Sequence, residues 1–167
     1  MIKYIEGDLF EGIKQHSCCL IPHITNNVHA WGLGFVLPLS KHFPQARTAF
    51  FSLRSPELGA VQFVECGKYI ICNMFAQNGI RSKENPKPID YKSLERCMEE
   101  IRLKNKSKVI SAPMFGSGLA GGEWSVIESL IEKWWGDFDV EIYFFEKSLP
   151  RGYSKKEVNS EVKICRD

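Results

Sequence analysis

The sequence predicts one α/β domain, an α/β sandwich built around a mixed, largely parallel sheet. Two observations carry this expectation. Six short runs rich in β-branched and aromatic residues (IKYIEG, SCCLIPHI, AVQFVE, YIICNMF, KVISAPMF and VEIYFFE) alternate with stretches of helical spacing, the pattern of βα units. Two of those runs, AVQFVE and YIICNMF, are separated only by Cys66–Gly67–Lys68, which predicts a hairpin and so one antiparallel pairing in the sheet. At 167 residues, 44% of them hydrophobic and 25% charged, the chain is long enough for one proper core. It shows no internal repeat, linker or second domain.

Taken in order, IKYIEG ends in Gly7–Asp8–Leu9, and SCCLIPHI runs into His23–Ile24–Thr25–Asn26–Asn27. The segment GFVLPLSKHF has an apolar stripe at helical spacing, with Pro38 in the first turn or two. After the hairpin, Asp90 is a good N-cap for YKSLERCMEEIRLKN, and Pro88 discourages an earlier start. In that helix Tyr91, Leu94, Cys97, Met98 and Ile101 recur every three or four residues. KVISAPMF leads into FGSGLAGGEW and then a helix with Trp124, Ile127, Leu130, Ile131 and Trp134 on one face. VEIYFFE closes the domain at Glu146, and the polar stretch 147–167 reads as a surface appendage, not a separate domain.

Composition excludes several classes. A net charge of +2 gives no basic patch for bulk nucleic-acid binding, and no apolar stretch approaches the ~20 residues of a membrane span. MIKYIEGDLF is charged too regularly for a signal peptide. Of six cysteines, Cys18 and Cys19 are adjacent, Cys66 and Cys72 lie in strand-like runs, and no C-x-x-C occurs. This points to a reduced cytoplasmic protein with buried thiols, without disulfides, metal or cofactor. Oligomeric state is not readable.

In open α/β sheets ligands bind beyond the carboxyl ends of the strands. Three such ends carry unusual residues here. The first is Asp8 and Leu9; the second is His23, Asn26 and Asn27 followed by Trp31–Gly32–Leu33–Gly34 and Phe35. The third has Gly116, Gly118, Gly121 and Gly122 within seven residues, interleaved with Ser117, Leu119 and Ala120. If these strands are parallel neighbours, a carboxylate, two amides, an imidazole and two glycine-flanked helix N-termini converge on one cleft. Bare N–H groups and helix N-termini suit phosphates, a carboxylate suits an exocyclic amine, and asparagine amides suit ribose hydroxyls. A positive φ at Gly118 would make even a methyl group there unfavourable. Plainer readings stand beside these: Asp8 as a turn residue, His23 as a satisfied semi-buried histidine, Asn26–Asn27 as an Asx turn, Trp31 as core, and His29 and His42 as surface. Gly116-x-Gly118-x-x-Gly121, with Glu146 about 25 residues on, also matches a dinucleotide fingerprint. That fingerprint normally opens the first βαβ unit, and here it falls in the last.

With the three loops in hand, residues 1 to about 146 resemble a macrodomain, the ADP-ribose-binding fold. GDLF resembles the family's adenine-recognising loop. HITNNVHAWGLGFVLPLSKHFPQA resembles its first glycine loop and following helix, and APMFGSGLAGGEW its diphosphate-cradling loop. The closest likeness is to the branch of yeast-type ADP-ribose 1''-phosphate phosphatases, terminal ADP-ribose protein glycohydrolases and DNA ADP-ribosylglycohydrolase antitoxins. The resemblance implies a three-layer α/β/α sandwich around a mixed six-stranded sheet. It implies Asp8 on the adenine amine with the Leu9 backbone nearby, Asn26 on the distal ribose, and the 32–35 and 117–121 backbones on the phosphates. A lysine and an aspartate of deglycosylating members are replaced by Gln77 and Ala120, so lysine-adduct chemistry is not expected. His23 in PHITN resembles the histidine of the yeast-type HSCN motif, where it is expected to serve as general acid or to orient water, with Asn26 beside it. The expected activity is removal of phosphate from ADP-ribose 1''-phosphate. The rival expectations are a non-catalytic ADP-ribose-binding module and an ADP-ribosyl hydrolase.

Overall fold

The computed structural model describes residues 2–104, 107–150 and 153. Six strands form one sheet: β1 Ile2–Glu6, β2 Cys19–Asn26, β3 Val61–Cys66, β4 Tyr69–Gln77, β5 Val109–Pro113 and β6 Asp139–Phe144. Their order across the sheet is β1-β6-β5-β2-β4-β3, with every pairing parallel except the β3–β4 hairpin. The mixed sheet expected from the sequence is the one observed.

The helices are α1 Leu9–Gly12, α2 Val36–His42, α3 Pro44–Ser52, α4 Tyr91–Lys104 and α5 Trp124–Trp135. They cover both faces of the sheet. Leu94, Met98 and Ile101 of α4 and Trp124, Ile127 and Ile131 of α5 pack on Ile2, Leu20, Met74, Ile110 and Ile142. On the other face α1, α2 and α3 bring Leu9, Phe10, Leu39 and Phe50 against Cys19, Ile21, Ile71 and Phe75. Because β2 and β4 are covered on both faces, their sequences run almost wholly apolar, as central parallel strands do.

Several details depart from expectation. The four-residue α1, a 3₁₀ turn at Ile13–Gln15 and the whole of α3 lie outside the periodic runs that mark helices in the sequence. Phe43, held at φ −135° and ψ 74° by the proline after it, ends α2, and Pro44 opens α3 at its first position. Asp90 precedes α4 as expected, but its Oδ2 accepts the Ser93 hydroxyl at 2.7 Å instead of a backbone N–H. On α5 it is Trp135, not Trp134, that is fully buried, its indole donating to the Met98 carbonyl at 3.1 Å. Trp134 stays at the edge, where its indole meets Glu95.

Cys19, Cys66, Cys72 and Cys97 are buried free thiols and Cys18 is half-buried, while Cys165 lies outside the described residues. Burial pushes the Cys19 thiol up to about 11 and that of Cys97 to about 12, so both stay protonated near neutral pH. Of the polar appendage, Leu149 and Tyr153 pack against the α4–α5 face. The rest of it beyond Pro150 lies outside the described residues. Among the described residues no helix is long and apolar enough to cross a membrane.

Ile131 has no exposed surface and belongs to the core shared by the sheet, α4 and α5. Ile131→Ala is expected to lower stability by about 2–5 kcal/mol, whereas Leu103→Ala on the exposed face of α4 should stay within about 0.5 kcal/mol. Urea unfolding of the two variants checks this.

Candidate functional site

A cleft of about 480 Å³ opens at the carboxyl ends of the central strands, a size suited to a small-molecule ligand. Its floor is His23, Ile24, Thr25 and Asn26 of β2. One wall is residues 32–36, entering α2; the opposite wall is residues 113–116 and 118–120 after β5, and Gln77, Ile80 and Arg81 close the end beside β4.

The two walls share one property. Among the described residues no oxygen accepts from the backbone N–H groups of residues 32–35 or 116–120, although Gly121 and Gly122 donate back within their loop to Gly118 and Gly116. Runs of unpaired backbone N–H groups are the kind of feature that can take an anion.

The glycines of the second loop divide by reason. Gly116 and Gly121 hold positive φ of 80° and 75°, and a Cβ on either would strike neighbours at 2.9 Å. A Cβ on Gly122 would meet the Gly116 carbonyl at 2.6 Å. The fold itself therefore requires these three. Gly118 has no positive φ, and a Cβ on it would find nothing within 4 Å, which corrects the expectation of backbone strain there. Gly32, on the facing wall, is equally open. What these two glycines leave bare is the cleft. A second correction concerns α5: residues 121–124 do not line the cleft, because the loop folds back on itself before the helix begins. The unpaired N–H groups beside the cleft therefore belong to the loop and not to α5, and on the facing wall they lie just before α2.

The asparagines are occupied by the backbone. Asn26 Oδ1 accepts from Val28 N and Ala30 N at 3.0 Å, and its Nδ2 donates to the Ala30 carbonyl at 2.7 Å. One amide hydrogen is left, so Asn26 can donate to a ligand but not accept. Asn27 stands outside the cleft lining. It takes Gly79 N at 2.8 Å and donates to Asn78 Oδ1 at 3.1 Å, tying β2 to the loop after β4. The far end of that loop is tied to the glycine wall by Ile89 N donating to the Ala120 carbonyl at 3.0 Å.

His23 is 2% exposed and sits on Asn73, its register partner on β4. Asn73 Nδ2 donates to Gln62 Oε1 and the Ala46 carbonyl, so its Oδ1 must be the acceptor at 2.5 Å from His23 Nε2. The imidazole proton is thereby placed on Nε2, and Nδ1 is a buried acceptor with no partner among the described residues. Burial pushes the His23 pKa down to about 4, against the smaller opposing effect of Asn73. His23 is neutral at neutral pH and has no proton to give from Nδ1, which corrects the expected general-acid role and leaves the water-orienting one.

The remaining sequence candidates lie apart. Trp31 is core: it packs on Phe50 at 4.9 Å, meets His23 edge-on and donates to Ser40 Oγ. Asp8 is exposed and caps α1 through Phe10 N at 2.9 Å, while Leu9 is buried beneath it. β1 is separated from β2 by β6 and β5, so Asp8 sits further along the rim than neighbouring strands would put it. Ser117 bonds back to the Met114 carbonyl. His29 and His42 are exposed, as expected. Arg81 and Ile80 escape pattern reading because they fall in NGIRSKENP, which has neither strand nor helix periodicity.

The neutral His23 implies a pH signature. Its folded pKa lies below the ordinary 6.5, so the unfolded chain binds the proton first. Its contribution to stability is complete above pH 6.5 and is lost as pH falls toward 4, by up to about 1.4 kcal/mol per pH unit. Urea midpoints between pH 7.5 and 4.5 should fall more steeply for the wild type than for His23→Gln; equal slopes would mean the imidazole is not held neutral.

No family model matches the chain. A solved structure of a protein of unknown function from Bacteroides thetaiotaomicron is 35% identical, with a TM-score of 0.75 over 86% of this chain and 97% of that one. The macrodomain protein from Streptomyces coelicolor is 29% identical, with a TM-score of 0.70 over 86% of this chain and 99% of that one. Among curated proteins, the ADP-ribose 1''-phosphate phosphatase of Lodderomyces elongisporus is 22% identical over 87% of this chain and 99% of its own length. A likeness that runs nearly end to end gives this chain the macrodomain fold.

Proposed function

We propose that the chain is a hydrolase that binds ADP-ribose 1''-phosphate along the rim of the sheet and releases its terminal phosphate. The observation that carries this reading is the pair of unpaired N–H runs in the two walls of the cleft, with His23 on its floor. In this reading residues 32–35 and 116–120 hold the diphosphate, and the remaining amide hydrogen of Asn26 reaches the distal ribose. Asp8 uses one carboxylate oxygen to cap α1 and offers the other to the adenine amine. The name of the Lodderomyces relative supports the substrate.

The reaction forms a bond from water oxygen to phosphorus and breaks the bond from phosphorus to the 1''-oxygen. Phosphoryl transfer passes through a loose transition state and asks for positioning and charge stabilisation more than for a strong base. A neutral imidazole with a fixed tautomer suits that demand. Nδ1 of His23 accepts a hydrogen bond from one O–H of the water and orients its lone pair, while the water's other proton passes by way of a phosphate oxygen to the departing 1''-oxygen. The products are hydrogen phosphate and ADP-ribose, the 1''-oxygen leaving as the anomeric hydroxyl.

One observation favours the plainer alternative, a binding module: no carboxylate lines the cleft among the described residues, and Gln77 donates its amide to the Gly79 carbonyl. Gln77 and Ala120 also argue against ADP-ribosyl hydrolysis through a lysine adduct.

ADP-ribose should bind in the micromolar range, about −8 kcal/mol, by calorimetry. Gly118→Glu, with a carboxylate in the open position, should abolish that binding without changing the unfolding midpoint, and Gly118→Ala should fold normally and bind more weakly. Binding retained by Gly118→Glu would remove this loop from the ligand site.

Incubation with ADP-ribose 1''-phosphate should release inorganic phosphate, and His23→Ala, which loses the hydrogen bond that orients the water, should lower the rate by about 10–100-fold. The rate should show no titration near pH 6.5 from His23, whose pKa is pushed down to about 4. Tight binding of ADP-ribose without any phosphate release would leave the binding module.

A further inference from the structure

Arg81 is the one charged side chain among the residues lining the cleft, and nothing in the proposed reaction yet uses it. We infer that Arg81 holds the terminal 1''-phosphate and makes the cleft select ligands phosphorylated at that end. The inference rests on the proposed orientation of the ligand.

The order of strands supplies the first argument. Along the rim, β1 carries Asp8, β5 leads into the glycine wall, β2 carries Asn26 and His23, and β4 leads to Arg81. ADP-ribose 1''-phosphate has the same linear order: adenine, diphosphate, distal ribose, phosphate. Neighbouring strands are about 4.8 Å apart, so β1 to β4 spans about 19 Å, the scale of an extended dinucleotide-sized ligand. With adenine at β1, the terminal phosphate arrives at β4.

The state of Arg81 supplies the second. It is exposed, and no carboxylate lies within ion-pair distance of it among the described residues; the ion pairs there involve Lys14, His16, Arg102, Lys104 and Lys133. Its backbone neighbours are nevertheless held. The Ile80 carbonyl takes Asn85 Nδ2 at 3.2 Å, and Ser82 N donates to the Asn85 carbonyl at 3.1 Å. The backbone on either side is held while the guanidinium is uncommitted. A planar guanidinium matches a phosphate bidentately, and a terminal monoester carries more charge than either phosphate of the diphosphate.

The test compares wild type, Arg81→Ala, Arg81→Lys and, as a control from the same loop, Lys83→Ala. ADP-ribose affinity is measured by calorimetry, and kcat/KM for ADP-ribose 1''-phosphate by phosphate release. Arg81→Ala should change ADP-ribose affinity by less than about twofold and lower kcat/KM by about 10–100-fold. Arg81→Lys should fall between, and Lys83→Ala should change neither. Equal losses for both ligands, or none, would overturn the inference. Should the wild type release no phosphate, the proposed hydrolysis fails, and the two ligands are compared directly by calorimetry. Tighter binding of ADP-ribose 1''-phosphate that disappears in Arg81→Ala then upholds the role of Arg81, and equal binding overturns it.

Discussion

The rim is organised by the parallel register of β2 on β4, in which Cys19 to Thr25 lie beside Tyr69 to Phe75. Both strands are buried on both faces, so a polar side chain within them must find its partner across the register. His23 meets Asn73 in this way, and Asn73 is itself held by Gln62 and the Ala46 carbonyl. The register breaks between Thr25 and Asn26, and from that irregularity the chain leaves the sheet and begins the first cleft wall. A slip by one residue would turn His23 toward α4 and α5 and leave Asn73 without its partner.

The strands are legible in the sequence because burial on two faces writes long apolar runs, and the hairpin because only three residues separate its strands. The two glycine loops are legible as loops. What each glycine is for is not: Gly116 and Gly122 are excluded from carrying a side chain by isoleucines and a carbonyl that are distant in sequence or fixed by the turn, while Gly118 is not. Asn26 and Asn27 look alike in the chain, yet one lines the cleft and the other braces a loop. Trp31 reads equally as core or as ligand-facing, and only its indole on Ser40 decides. Arg81 carries no local signal, because its significance comes from the absence of other charges around it in space. Helix α3 escapes the pattern because two proline-limited helices follow one another without a loop.

Burial acts on the titratable groups in one direction throughout the core. It raises the thiols of Cys19 and Cys97 and lowers His23, so each is held in its uncharged form. The cleft floor is therefore electrically quiet, and the charge around it comes from Arg81 and from the unpaired backbone N–H dipoles of the walls. Dipoles of this kind keep their strength across the pH range in which side chains titrate.

The loop after β4 is bolted at both ends, to β2 through Asn27 and to the glycine wall through Ala120. It therefore works as a tie-bar from the end of the floor strand to the glycine wall of the cleft. Moving that wall away from β2 would break one of the bolts. The entropy of ordering the loops is thus taken up when the chain folds, not when a ligand arrives. For a guest this leaves its own loss of motion and its dehydration as the costs of entry.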